Sequence, residues 1–170
     1  MSDAPQSSSA NEWLERLRSV LPAYRGYADQ TSRREQDALY RRYLSDRVGG
    51  LLAPLEQLIG ERAHAGQVIE VLPLERVREK LRALLRELEA PDYGTTAFFN
   101  ERPVDETVLD LLYQYDLVLN EHVQDAYAQL EGLRAHPPEG LLLAAERLEA
   151  TVLALEAEFE SRCEVIRNWT

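Results

Sequence analysis

The stretch PLERVREKLRALLREL, residues 73–88, carries the pattern that decides the fold. Its apolar residues recur at intervals of three and four, which is the spacing of one face of an α-helix. They are Leu74, Val77, Leu81, Leu84 and Leu88. Pro73 stands just before them, where the first turn of a helix tolerates a residue without an N–H group. The pattern predicts a helix over residues 73–90, with coiled-coil-like spacing, that buries one face.

The same spacing continues on both sides of this helix. It predicts a short helix over residues 10–20, a long one from about Tyr27 to Ala63, and two more over 105–135 and 138–168. Strands are not predicted, because apolar residues nowhere alternate with period two for long. We therefore expect an all-α protein, an antiparallel up-down bundle of four main helices plus a short N-terminal helix.

Local signals mark the helix starts and the domain limits. Ser9 and Glu12 have the spacing of a capping box, and Asp105 stands at an N-cap position. Residues 1–9 are polar and rich in serine, so we expect a disordered tail there. Residues 10–170 are expected to form a single helical-bundle domain, since a chain of this length can bury one core.

The second helix leaves two interpretations open. Its apolar spacing runs from Leu39 to Ile59 without interruption, across Gly49-Gly50 and Pro54. We favour one helix to about Ala63, kinked where Pro54 removes a backbone hydrogen bond. The alternative is a break at Gly49-Gly50 with a new helix that has Pro54 near its first turn.

Charge is distributed unevenly along the chain. The net charge is −11, yet residues 1–90 carry 14 basic and 14 acidic side chains, whereas residues 91–170 carry 5 basic and 16 acidic ones. The acidic half would repel phosphates, so nucleic acid is excluded as a general partner. The apolar runs are far shorter than the roughly 20 residues that span a bilayer. A single cysteine, without a signal-peptide pattern, favours a cytoplasmic protein, at most peripheral to the inner face of the membrane.

Arginines gather at the start of the second helix. Arg34 and Arg41 are seven positions apart and share a face. Arg33 and Arg42 flank them, and Arg25 precedes the helix. This set is suited to an anionic membrane surface or an acidic partner. In the alternative, the arginines pair with the acidic half of the same chain.

Polar side chains near the core stripe form a second candidate site. Asp116 falls close to the stripe of its helix, with Tyr115 beside it, and Tyr43 occupies the stripe of the second helix. We expect a buried polar cluster of Tyr43, Tyr115 and Asp116. It is either a carboxylate bonded to a tyrosine or an arginine, or a site for a small ligand.

Catalytic and metal-binding patterns are not recognised. The one Glu-x-x-His, Glu61 to His64, stands at a helix end, whereas a di-iron bundle needs two such motifs. The stripe of the last helix runs from Leu142 through Ala145 and Phe159, which makes Cys163 a small buried side chain. We therefore predict no enzyme activity, no metal and no cofactor.

Two segments resemble a family of uncharacterised bacterial helical proteins. They are LPAYRGYADQTSRREQDALYRRYL, residues 21–44, and VDETVLDLLYQYDLVLNEHV, residues 104–123. The family has a similar Leu-Pro-x-Tyr-Arg-Gly-Tyr turn, a following Arg-Arg-Glu, and an acid-capped helix with Leu-Tyr-x-Tyr-Asp. The resemblance implies a helical fold, no known enzymatic activity and an association with bacterial membrane stress. The chain departs from the family at Gly49-Gly50 and Pro54, where the family carries continuous helix formers.

These patterns favour a non-catalytic interaction or scaffold protein that acts through protein–protein contact. The partner would meet the arginine face of the second helix or the acidic face of the last two helices, and a homo-oligomer stays open. The alternative is a peripheral membrane-surface protein that docks on anionic lipid through its N-terminal helix, with Trp13, Leu14 and Leu17, and through the helix-two arginines. A third hypothesis is a bundle with a small-ligand site near Asp116.

Overall fold

The computed structural model describes residues 8–135 and 138–170, which form six helices and, within these ranges, no strand. The helices are α1 (Ser8–Val20), α2 (Arg33–Gly49), α3 (Leu52–His64), α4 (Val68–Glu89), α5 (Glu106–Ala135) and α6 (Pro138–Arg167). The all-α class is therefore confirmed. The predicted tail falls outside the described residues for positions 1–7. Ser9 lies within α1 rather than at its N-cap.

Four helical rods make up the bundle. The α2–α3 rod packs on α4 and on α5, and α6 packs on α4 and α5 from the other side. The short helix α1 packs on α5. The apolar residues of all these contacts merge into one core, from Leu17 in α1 to Ile166 in α6.

Consecutive rods alternate in direction, as predicted, but some neighbouring rods run parallel. Arg76 pairs with Glu149 and Lys80 pairs with Glu156, so residue numbers increase together along α4 and α6. Residue numbers also increase together along α2 and α5, as hydrogen bonds from Tyr40 to Asp116 and from Tyr43 to Asn120 show. The linker 90–105 therefore crosses one end of the bundle between diagonally placed rods, α4 and α5.

The second predicted helix is broken in two, so the preferred single kinked helix is wrong and the alternative is correct. α2 ends at Gly49, and α3 begins at Leu52 with Pro54 in its first turn. Gly50 and Leu51 between them keep right-handed helical dihedral angles. The break is therefore a local change of hydrogen bonding within a continuous rod.

A tyrosine on another helix contacts the rod at this break. The N–H of Leu51 donates to the Val48 carbonyl, at 3.1 Å, which leaves the Arg47 carbonyl without a partner inside the rod. The hydroxyl of Tyr127 in α5 donates to that carbonyl at 2.7 Å. A Cβ at Gly50 would fall on this hydroxyl. A residue larger than glycine would therefore displace Tyr127 where α5 approaches the rod.

Helix α4 begins five residues earlier than predicted, at Val68, and Pro73 lies inside it. The missing N–H of Pro73 deprives only the Ile69 carbonyl of its helical partner. Ile69 is exposed at the end of the bundle, where water can bond that carbonyl. The predicted N-cap of α5 is confirmed, because the Asp105 carboxylate accepts a hydrogen bond from the N–H of Thr107 at 2.8 Å.

Candidate functional site

The turn between α1 and α2 delivers two tyrosines to the core. Gly26 has a φ of +80°, in the left-handed region that glycine adopts most easily. A Cβ there would also fall on the hydroxyl of Tyr113, which accepts a hydrogen bond from the N–H of Tyr27 at 2.9 Å. With this turn in place, Tyr24 and Tyr27 are fully buried. Their hydroxyls are buried as well and donate hydrogen bonds inside the core.

Asp116 is the acceptor at the centre of a buried polar network. Its Oδ2 accepts hydrogen bonds from the hydroxyls of Tyr24 and Tyr27, at 2.9 and 3.0 Å. Its Oδ1 accepts one from Nε of Arg162 at 2.6 Å. The backbone carbonyl of Asp116 accepts a fourth, from the Tyr40 hydroxyl at 2.5 Å. The predicted burial of Asp116 among tyrosine and arginine partners is confirmed.

Arg162 extends the network to a second carboxylate, that of Asp37. Its Nη2 donates to Asp37 Oδ1 at 3.0 Å, and its Nη1 donates to the Tyr93 hydroxyl at 3.1 Å. Tyr93 in turn donates to Asp37 Oδ1 at 2.8 Å, and Arg41 Nε donates to Asp37 Oδ2 at 2.9 Å. Two guanidinium groups thus neutralise two carboxylates. The network joins the turn between α1 and α2 to α2, α5, α6 and the linker 90–105.

Burial sets the protonation behaviour of these groups. Burial raises the pKa of the Asp116 carboxyl, and the Arg162 charge and the tyrosine hydroxyls oppose that rise. Burial acts to lower the pKa of Arg162, but Asp116 and the other negative partners outweigh it and hold the pKa above its ordinary value. The pKa of the Tyr27 hydroxyl is raised, first by burial. Arg162 therefore stays charged and the tyrosines stay neutral near pH 7.

The network serves as a structural anchor. Both oxygens of Asp116 and of Asp37 have partners, and none of the described surface grooves is lined by Asp116. Tyr115 is half-buried and lies outside the network, which corrects its predicted place there. The hydroxyl of Tyr43 donates to Asn120 Oδ1 instead, at 2.7 Å.

The essential residue that sequence reasoning missed is Arg162. It lies three positions after Phe159 and four before Ile166, within the core stripe of α6. A charged residue at such a position needs a buried partner of opposite charge, and Asp116 was the one acidic residue singled out at a core position. That signal could have paired them.

The five arginines that were predicted to share a docking face do not form one surface. Arg33 is buried, and its guanidinium donates to backbone carbonyls of Tyr27 at 2.8 Å and Arg102 at 2.7 Å. Arg41 is partly buried and donates to Asp37 and to the Leu88 carbonyl. Both residues hold the fold together, which corrects their predicted placement on a docking face.

Three of the predicted arginines remain exposed. Arg34 lies over the ring of Phe99, with 4.6 Å between its guanidinium carbon and the ring centre. Arg25 and Arg42 line one shallow groove beside Glu35. None of the five predicted arginines has an ion pair with an acidic residue of the 91–170 half in the described structure. The self-pairing alternative is therefore not what the structure contains.

Large apolar side chains are exposed where α4 and α6 begin. Val68, Ile69 and Leu72 of α4 are 65%, 67% and 55% exposed, and Leu142 and Leu143 of α6 are 37% and 57% exposed. We call these five residues the α4–α6 patch. The predicted core position of Leu142 is wrong, because Leu141 faces the core in its place.

The two halves of the α4–α6 patch lie at the same end of the bundle. Arg76 and Glu149 form an ion pair across α4 and α6 at 2.7 Å. Ile69 and Leu142 each lie seven residues before a member of that pair, two turns along the same helix face. Because α4 and α6 run parallel and pack on each other, both residues lie at about the same level along the bundle.

The N-terminal helix uses its apolar face inside the protein. Leu17 is buried, and Trp13 and Leu14 are half-buried against the core, next to α5. In the described part of the chain, no helix combines the length and apolarity that a membrane crossing requires.

Cys163 is buried, as predicted, and burial raises the pKa of its thiol to about 12. His64 ends α3 at an exposed position, also as predicted. Among the residues described, no group of three or more histidine, cysteine, aspartate or glutamate side chains is placed to hold a metal ion.

Comparison with known proteins gives no match: no family model, no curated protein and no solved structure matches this chain. The resemblance to the bacterial helical family therefore stays a prediction.

Proposed function

We propose that this chain is a non-catalytic helical-bundle protein that acts through protein–protein contact, and that the α4–α6 patch is its docking surface. The observation that carries the proposal is the exposure of five large apolar side chains on two neighbouring helices. Monomeric proteins rarely expose contiguous apolar patches of substantial size unless a partner covers them.

The patch is a better docking surface than the arginine face. Arg33 and Arg41 are engaged in the fold, and the groove that holds Arg25 and Arg42 also contains Glu35. That surface offers neither a concentrated charge nor an apolar anchor, and hot spots of protein interfaces need buried anchors.

The two other hypotheses have less support. Docking on anionic lipid through α1 would need its apolar side chains at the surface, but Leu17 is buried and Trp13 and Leu14 pack against the core. A small-ligand site near Asp116 would need a cavity and free polar groups, but its oxygens are already bonded to Arg162 and to tyrosines.

The fold presents the patch on two helices that pack on each other. The Arg76–Glu149 and Lys80–Glu156 ion pairs join α4 and α6 further along the bundle. A partner therefore meets a preformed surface and bears little cost of ordering it.

Affinity capture from the native cells, with tagged wild-type protein and two variants, tests the proposal. The patch variant is Ile69→Ser/Leu142→Ser, and the control variant is Arg25→Gln/Arg42→Gln. Both change exposed residues, so each is expected to fold, which circular dichroism and thermal melts verify. We expect wild type and control to retain the same proteins and the patch variant to lose them. Retention of those proteins by the patch variant, or no capture above background by wild type, would refute the proposal.

A further inference from the structure

Acidic residues flank the α4–α6 patch on its own two helices. Glu70 follows Ile69 on α4, and Glu139 and Glu146 stand one turn to either side of Leu142 and Leu143 on α6. Glu146 also lies close enough to Arg76 to help raise its pKa, after the stronger effect of Glu149. Arg147 is the one basic residue next to them on α6 that has no ion pair in the described structure. The positive ends of the two helices offset only part of this negative charge.

A second copy of this chain is a poor occupant of the patch. In a two-fold dimer each patch meets its own equivalent, so these glutamates would approach one another. The chain as a whole carries a net charge of −11, which adds long-range repulsion between copies. The same charges attract a basic partner and repel acidic ones.

The shape of the patch selects a helical segment. Its apolar side chains stand on the first turns of two parallel helices that pack on each other, and the Arg76–Glu149 pair joins the same two helices further along. Two packed helices leave a shallow groove between their side-chain rows. An amphipathic helix lays anchors spaced by three and four residues into such a groove. On α4 the patch extends from Val68 to Leu72, about 6 Å along the axis at ~1.5 Å per residue, so about two anchors fit.

We infer that the partner docks through an amphipathic helix whose apolar face is bordered by lysine or arginine. This inference rests on the proposed function and adds the chemistry of the partner. The apolar anchors occupy the groove between Ile69 and Leu142, and the basic side chains reach Glu70, Glu139 and Glu146.

Two synthetic peptides test the inference by fluorescence anisotropy. They share the same leucine positions at helical spacing and differ only in having lysine or glutamate at the flanking positions. We expect the lysine peptide to bind wild type at least tenfold more tightly than the glutamate peptide. Ile69→Ser/Leu142→Ser, which leaves the net charge unchanged, should weaken the lysine peptide at least tenfold.

Two charge variants separate the effect of Glu70, Glu139 and Glu146, which we call the rim, from the effect of the overall charge. Glu70→Gln/Glu139→Gln/Glu146→Gln should weaken the lysine peptide several-fold. Glu101→Gln/Asp125→Asn/Glu164→Gln removes as many charges from exposed positions outside the rim and should leave binding unchanged. Equal losses in both charge variants, or lysine-peptide binding that survives the patch variant, would mean non-specific attraction and would overturn the inference.

Failure of the inference is distinguishable from failure of the proposed function. If native partners depend on the patch in the capture experiment but both peptides bind equally, the partner chemistry is wrong and the function stands. If light scattering finds a wild-type dimer that the patch variant dissociates, a second copy covers the patch and the inference is overturned. If capture is independent of the patch, the proposed function itself is wrong.

Discussion

Removal of the Arg162 guanidinium is the most direct test of the buried network. Arg162→Met keeps an apolar stem of similar length but deletes the hydrogen bonds to Asp116, Asp37, Tyr27 and Tyr93. The side chain is fully buried, so no water takes the place of the guanidinium without a change in packing.

The expected magnitude follows from the charges that stay behind. Asp116 keeps two tyrosine donors on Oδ2, but Oδ1 loses its partner inside the core. Asp37 is affected less, because Arg41 still binds it. Removing one partner of a buried ion pair costs about 3–5 kcal/mol, out of a total of about 5–15 kcal/mol for a domain. We expect Arg162→Met to lower the free energy of unfolding by about 4 kcal/mol.

Asp116→Asn separates the stranded charge from the lost hydrogen bonds. In that background Arg162→Met strands no charge at Asp116, so it should cost only about 1–2 kcal/mol. The coupling between the two substitutions should therefore be about 2–3 kcal/mol, measured from urea unfolding of the four proteins by circular dichroism. An equal cost of Arg162→Met in both backgrounds would refute the interpretation of Asp116 and Arg162 as a charge pair.

The pH dependence gives a second readout of the same pair. Burial raises the pKa of the Asp116 carboxyl, and loss of Arg162 removes the main opposing charge. Between the ordinary carboxyl pKa of about 3.9 and the raised folded value, the folded state binds more protons than the unfolded chain. In this window the folded state gains stability as pH falls. The destabilisation by Arg162→Met should therefore shrink from about pH 7 towards about pH 4, and this change should be absent when Asn replaces Asp116.

Three further predictions concern single positions. Gly50→Ala should lower the free energy of unfolding by about 1–3 kcal/mol in wild type, because its Cβ meets the Tyr127 hydroxyl. After Tyr127→Phe the same substitution should be neutral or should stabilise by up to ~1 kcal/mol. Gly60→Ala, which has open space around it, is the control, and urea unfolding measures all three substitutions. Cys163, with a pKa of about 12, should resist iodoacetamide at about pH 8 in the native state and react in denaturant, as mass spectrometry would record; native labelling would contradict its burial. The pKa of the Asp105 carboxyl is lowered by its hydrogen bonds at the start of α5, so its stabilisation is present above about pH 3.9 and is lost below it. Asp105→Ala should thus lower the melting temperature at neutral pH, and a difference that persisted unchanged in acid would contradict the cap.

The leucine spacing predicts most of the helices because it depends on neighbours within two turns. For that reason the predicted ranges of the last two helices, 105–135 and 138–168, agree with α5 and α6 to within one residue at each end. The break at Gly49-Gly50 was the alternative and not the preferred interpretation, because one contact at this break, the Tyr127 hydroxyl, comes from a helix far along the chain. Local spacing carries no information about that hydroxyl. The continuous apolar stripe therefore favoured a single helix.

Contacts between helices also limited the prediction of the candidate sites, residue by residue. A single position turns a helix by about 100°, which separates buried Arg33 from exposed Arg34. The burial of Asp116 was predictable from its register, and the charge of Arg162 in the core stripe of α6 indicated a partner for it, but the contribution of Asp37 depends on how α2, α5 and α6 meet.

The leucine run at positions 141–143 links this limit to function. Leu141 and Leu142 lie four and three positions before the core residue Ala145, so the spacing allows either of them to be buried, and Leu141 takes the core position. The fold needs one of the three, and it leaves Leu142 and Leu143 on the surface next to Ile69 of α4. Exposed apolar area of this kind contributes little to folding, because it stays in contact with water in both states. What it does contribute is free energy for association, which is why the excess leucines of α6 favour a docking surface.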